Sequence, residues 1–147
     1  MPETWRMRAF SSEEASQISG VHRGTLDVWI HREPADLFSQ KRGTRRYFSP
    51  QDISIIAVAL DLSRGGMPVL TSIACAFERL QSEPPADAIL VVKNGAVSPR
   101  TGRVIADKDV PQLQVDHSFQ LIPIGQIAAR VRKACAELYE GGADVAV

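Results

Sequence analysis

Several things are scarce in this 147-residue chain, and each scarcity excludes something. No apolar run approaches the roughly 18 residues that a membrane span requires. The opening stretch, M-P-E-T-W-R-M-R, lacks the hydrophobic centre of a signal peptide, so the expected location is cytoplasmic, away from any membrane. Only two cysteines occur, Cys75 and Cys135, far apart and each inside an apolar helical pattern. They read as buried free thiols rather than a disulfide or a metal pair. His22, His31 and His117 have no metal-ligand spacing with them. There is no phosphate loop, dinucleotide fingerprint or catalytic triad pattern. Asp107, Asp109 and Asp116 lie near one another without a nucleophile or a paired base, and read as solvated loop acids. The pattern therefore predicts neither an enzyme nor a cofactor or metal site. Internal repeats and low-complexity tracts are also missing.

Net charge is zero as well, with 17 basic and 17 acidic residues, so the total gives no sign of a polyanionic partner. The local distribution does. Between Val21 and Ser49 stand Arg23, Arg32, Lys41, Arg42, Arg45 and Arg46, against Asp27, Glu33 and Asp36. Six cations against three acids leave +3 in one short stretch. Four of the cations crowd into K-R-G-T-R-R-Y, residues 41–47, around Gly43. A basic patch on a neutral protein suits a small site on a polyanion.

Helix signals frame that patch. Ser11 and Glu14 have capping-box spacing, which predicts a short helix from Ser12 that Gly20 ends. Val21, Leu26, Trp29 and Ile30 then define the inward face of a second helix, with His22, Arg23, Thr25 and Asp27 outward. Gly24 falls inside that helix on this reading. Pro34 breaks the pattern. After the basic turn, Ser49 is an N-cap and Pro50 a first-turn residue. Ile53, Ile56, Ala57 and Leu60 form the buried stripe expected of the third helix. A fourth runs from about Val69 to Leu80, with Ile73, Ala74, Phe77 and Leu80 inward.

The pattern changes at S-E-P-P-A-D, which reads as a linker over residues 82–87. Beyond it, A-I-L-V-V-K reads as a strand ending in the turn pair Asn94-Gly95. S-P-R-T-G marks another turn, and R-V-I-A and S-F-Q-L-I are further strands. Pro123 opens an amphipathic helix whose face carries Ile127, Val131, Cys135 and Leu138, with Ile124 and Ala128 beside them. The expectation is an α+β chain: a helical domain carrying the basic patch over residues 8–81, the linker, and a small sheet-plus-helix unit over residues 88–140. About 50 residues bury little surface alone, so that second unit is expected to pair with another copy. A signal sensor and a docking site for a protein partner are the alternatives.

In order along the chain, Phe10-Ser11, Ala15, Gly20-Val21, Thr25-Leu26, Trp29, Arg46-Tyr47-Phe48-Ser49 and Asp52 resemble the DNA-binding domain of the MerR family of transcription regulators and the related excisionase-type winged helices. The resemblance covers about half of the chain. It implies a helix-turn-helix whose second helix enters the major groove of double-stranded DNA, beside a basic wing. On that reading His22, Arg23 and Thr25 meet base edges or phosphates, and Arg32 a phosphate. Lys41, Arg42, Arg45 and Arg46 reach phosphates or the minor groove. Tyr47 donates to a phosphate or packs inward. Two features depart from the family. Asp27 stands where an arginine is usual, and the long dimerisation helix is replaced by the sheet-plus-helix unit. A transcription regulator is therefore expected. The alternatives are an excisionase-like architectural factor and a protein-interaction module that has lost DNA binding, the reading Asp27 favours.

Overall fold

Two serines start two of the helices by the same device. Ser11 Oγ accepts from the Glu14 backbone N–H at 3.2 Å, and Glu14 Oε1 accepts from the Ser11 N–H at 2.9 Å. Ser49 Oγ accepts from the Asp52 N–H at 3.0 Å, and Asp52 Oδ2 accepts from the Ser49 N–H at 2.9 Å. Each box satisfies two backbone donors that a helix start would otherwise leave unpaired.

The computed structural model describes residues 2–32, 37–95 and 98–146, with side chains for 4–32, 37–95 and 98–139. The predicted break at Pro34, and the acids Glu33 and Asp36, lie outside the described residues. The elements are α1 (Pro2–Trp5), β1 (Phe10–Ser11), α2 (Ser12–Ser19), α3 (Arg23–Arg32), β2 (Gln40–Arg42), β3 (Arg45–Phe48), α4 (Pro50–Arg64), α5 (Val69–Arg79), β4 (Ala88–Lys93), β5 (Arg103–Ala106), β6 (Phe119–Ile122) and α6 (Ile124–Ala146). A 3-10 helix over Asp107–Gln112, which the sequence pattern did not predict, links β5 towards β6. The architecture is α+β: helices through the first half, two small antiparallel sheets, and a closing helix.

Helix α2 ends at Gly20, whose φ of 78° lets its N–H return to the Ser16 carbonyl. That left-handed cap is the tight turn between the two helices. Val21 is buried beneath it, held by Ser16 Oγ on its carbonyl at 2.7 Å and Ser19 Oγ on its N–H at 3.1 Å. Helix α3 starts two residues later than the apolar pattern implied. His22 caps it: its carbonyl accepts from the Leu26 N–H, and its Nδ1 accepts from the Gly24 N–H at 3.1 Å. Gly24 therefore lies in the first turn, where the cost of a glycine in a helix interior does not apply in full.

Helix α4 differs most from expectation. The predicted stripe of Ile53, Ile56 and Ala57 is buried, but so are Ile55, Val58, Ala59 and Leu62, while Leu60 is only half-buried. A helix buried on nearly every side must be central. Helices α5 and α6 both pack on α4, and α1, α2, β3 and β6 approach it too. In α5 the buried face turns to Ser72, Ile73, Cys75 and Ala76, leaving Ala74 and Phe77 half-buried. In α6, Ile124, Ile127, Ala128, Val131 and Cys135 are buried, but Leu138 is exposed one turn beyond the core.

The second sheet has the order β5-β4-β6. Alternation along β4 turns Ala88, Leu90 and Val92 inward. Helix α6 covers β4 and also packs on α4, so one cluster of buried side chains runs through both halves of the chain. The segment at 82–87 is fastened to α6. Gln126 Nε2 donates to the Ala86 carbonyl at 2.9 Å, and Arg132 pairs with Glu83 at 3.0 Å. Cys75 and Cys135 are buried free thiols, and burial pushes the Cys135 thiol up to about 12.

Candidate nucleic-acid interface

The basic stretch is a hairpin. Strand β3 pairs with β2 on one edge and β1 on the other. The two-residue turn is Gly43-Thr44, and Gly43 has φ of 65°. A glycine at the first turn position with positive φ, followed by a residue without it, matches the right-handed twist of the flanking strands. β1 is the residue pair that leads into α2, so the small sheet holds the hairpin against the two-helix unit.

Register decides the chemistry of the hairpin. Lys41 stands opposite Arg46, and Arg42 opposite Arg45. Both outer cross-strand pairs are cation against cation, an arrangement that destabilises a bare hairpin. Part of the strain is relieved locally. Arg46 donates to the buried Ser39 Oγ at 2.9 Å. Arg42 donates to Gln40 Oε1 at 3.2 Å, and its guanidinium lies over the Tyr47 ring, 5.2 Å from the centroid. Tyr47 is half-buried, a platform under Arg42. Lys41, Arg42 and Arg45 are exposed, and Arg46 is half-buried.

Facing the hairpin across a groove of about 700 Å³ is α3. Arg23, Asp27 and His31 line its far side, and Lys41, Arg45 and Arg46 its near side. Arg23, expected outward for a base edge or a phosphate, has partners within the protein. It is held by two carboxylates, Asp27 at 3.2 Å one turn along α3 and Glu13 at 3.3 Å from α2. Glu13 was missed because its proximity depends on how α2 packs beside α3. Thr25 is exposed on the same helix, and Arg32 is exposed at its end. His22 is exposed too, but with Nδ1 committed to the helix cap it presents only its Nε2 edge outward. Of the nine predicted contact residues, Arg23, Lys41, Arg45, Arg46 and Tyr47 line this groove. Thr25 and Arg32 lie elsewhere on α3, His22 caps it, and Arg42 borders a separate hollow with Arg8 and Gln51.

Asp52 lies behind the site. It is buried and accepts from Arg8 Nε at 2.8 Å as well as from Ser49. Burial pushes its carboxyl above the ordinary value, while Arg8 and the Ser49 N–H oppose the shift. Its work is structural, joining the α4 cap to the strand that precedes α2.

Residues 10–70 match the family described as MerR HTH family regulatory protein. That segment is similar to the MerR helix-turn-helix family. The match starts at β1 and ends just inside α5, so the MerR-type domain contains α2, α3, the basic hairpin and α4. The family is one of DNA-binding transcription regulators rather than of enzymes. No curated protein matches the sequence. Among the described residues no helix is long and apolar enough to cross a membrane.

Proposed function

We propose that this chain is a sequence-specific DNA-binding transcription regulator, acting in the cytoplasm. Helix α3 enters the major groove with Arg23 and Thr25 towards base edges. The hairpin is the wing. Lys41, Arg42, Arg45 and Arg46 sit on phosphates, or an arginine enters the minor groove, and Arg32 takes a phosphate at the helix end. The observation that carries this reading is the cation-on-cation register of the hairpin. Repulsion built into a two-stranded ribbon beside a helix-turn-helix is relieved by an anion lying along it.

Selection of bound fragments from a random DNA pool, followed by titration at two salt concentrations, tests the reading. An enriched motif with a steep salt dependence supports it. Tight binding without a motif points to an architectural role instead. No binding at low salt removes it.

The partner proposed for the second half is another copy of the chain. Met7, Leu138 and Tyr139 are exposed apolar side chains. Met7 and Tyr139 border a groove of about 550 Å³ that Phe10, Pro50 and Ala136 also line. Two copies would read two half-sites, and the selected motif would then show inverted symmetry. A monomer by analytical ultracentrifugation, with and without DNA, would rule this out.

A further inference from the structure

The acid on α3 is the feature that least suits a DNA-binding helix, and its geometry gives it a task. We propose that Arg23 and Asp27 act as one base-reading unit that selects a guanine and a neighbouring cytosine, with Glu13 as an internal competitor that keeps Arg23 off phosphates. The inference rests on the DNA-binding function proposed above and names how that surface selects sequence.

Three side chains meet on the exposed front of the two helices. Asp27 Oδ1 holds Arg23 through Nε, and Glu13 Oε2 holds it through Nη1. All three are well exposed, at 46% for Arg23, 58% for Asp27 and 66% for Glu13, so the cluster is open to a groove and not sealed in the core. One cation with two carboxylates leaves a net charge of −1 at this face. A phosphate approaching Arg23 must displace Glu13 and would still face Asp27. The three hairpin cations that line the groove, Lys41, Arg45 and Arg46, impose no such penalty. The two sides of the groove therefore differ: the hairpin attracts any backbone, and the front of α3 repels it.

A base edge meets different conditions. Guanine presents two acceptors, O6 and N7, to a bidentate guanidinium, and cytosine presents an amino donor that a carboxylate accepts. The end of a guanidinium that meets guanine is the Nη1–Nη2 edge. Asp27 grips Nε and does not touch that edge, so it positions Arg23 without competing. Glu13 occupies Nη1, so it must be released when guanine binds. Residues four apart on a helix are separated by about 6 Å along its axis. Base pairs stack about 3.4 Å apart, so Arg23 and Asp27 reach pairs one or two steps from each other. Specificity here comes from penalising the wrong ligand as much as from contacting the right one.

The test uses the full chain and its selected DNA motif, each G·C pair of the motif being changed in turn, with binding measured at two salt concentrations. Asp27→Ala is expected to tighten binding to random DNA several-fold and to lose roughly tenfold of discrimination at a guanine and at a nearby cytosine. Glu13→Gln is expected to tighten binding to the motif while keeping its base preferences. Arg23→Ala is expected to relax the same guanine position that Asp27→Ala relaxes. If Asp27→Ala tightens motif and random DNA by the same factor, Asp27 merely repels and the inference fails while DNA binding stands. If Arg23→Ala and Asp27→Ala relax unrelated positions, or none, the unit does not exist. A parent protein that binds DNA with no base preference also overturns it. A parent that binds no DNA at low salt overturns the proposed function itself.

Discussion

Arg8 and Asp52 are 44 positions apart in sequence, yet Arg8 Nε donates to Asp52 Oδ2 at 2.8 Å, with the carboxylate almost completely buried. The same oxygen accepts from the Ser49 N–H, so one carboxylate closes a helix cap and anchors the segment before β1.

Replacing Arg8 by alanine leaves that carboxylate buried without its cation. The expected loss of stability at neutral pH is about 3 kcal/mol, in the range seen when one partner of a buried pair is removed. The sign of its pH dependence follows from the raised carboxyl value. The folded state already holds the Asp52 proton more tightly than the unfolded chain does. Asp52 therefore costs stability as pH rises from the ordinary carboxylate value through the folded one. Without Arg8 the folded value rises further. The deficit of Arg8→Ala against the parent should be largest at pH 7 and shrink towards pH 4. Urea unfolding of both proteins at the two pH values measures it.

Two glycines predict contrasting costs. A Cβ on Gly125 would lie 2.1 Å from the Pro85 carbonyl oxygen and 2.6 Å from that of Ala86. Both are backbone atoms, so Gly125→Ala must push the 82–87 segment off α6, at a cost of roughly 1–3 kcal/mol. A Cβ on Gly65 would meet the side-chain amide of Gln120, which can swing away. Gly65→Ala is expected to cost less, and Gln120→Ala should rescue it. Thermal melts of the three single variants and of the double variant decide the comparison.

In the hairpin, stability and binding should move in opposite directions. Replacing Arg45 by alanine relieves the repulsion with Arg42 and is expected to leave the melting temperature unchanged or slightly higher. The same change should weaken binding on every DNA sequence and lower the salt slope by about one, because one phosphate is no longer neutralised. A variant that binds with the parent's slope would show that Arg45 touches no phosphate.

Removing residues 86–147 strips α6 from α4 and β6 from the same helix. The apparent linker suggests that residues 8–81 would remain folded alone, but the shared core argues otherwise. The truncated chain is expected to lose cooperative unfolding and to bind apolar dyes. A sharp melt from this fragment would show that α4 is adequately covered by α2, α5 and the hairpin.

What was legible beforehand is what neighbours along the chain decide. The capping box of Ser11 and Glu14, the Ser49 N-cap, the glycine cap at residue 20, the proline start of α4 and the glycine turn of the hairpin involve partners within about four positions. Their residue types specify them almost without reference to the rest of the molecule. The order of these local signals was also enough to suggest the MerR-type domain.

Apart from the start of α3, which local bonds from Ser16, Ser19 and His22 set, the misjudged features depend on contacts that packing brings together. The start of α3 moved because Val21 is buried in the turn rather than in the helix. The stripe expected on α4 became a nearly complete apolar surface because α6, some 70 positions later, covers a face that α5 does not. The run I-S-I-I-A-V-A-L does carry a signal of this, since apolar residues on every side of a helix require burial on every side. Asp27 was weighed by its charge alone; the fold adds its pairing with Arg23 one turn away and the nearby Glu13. Sequence by itself determined where helices begin, how the hairpin turns and which charges crowd together, since those are short-range matters of propensity and spacing. Only the tertiary structure decided that α4 is the centre, that the segment at 82–87 is strapped to α6, and that Arg23 is shared between two acids, since each depends on surfaces that meet only when the chain is folded.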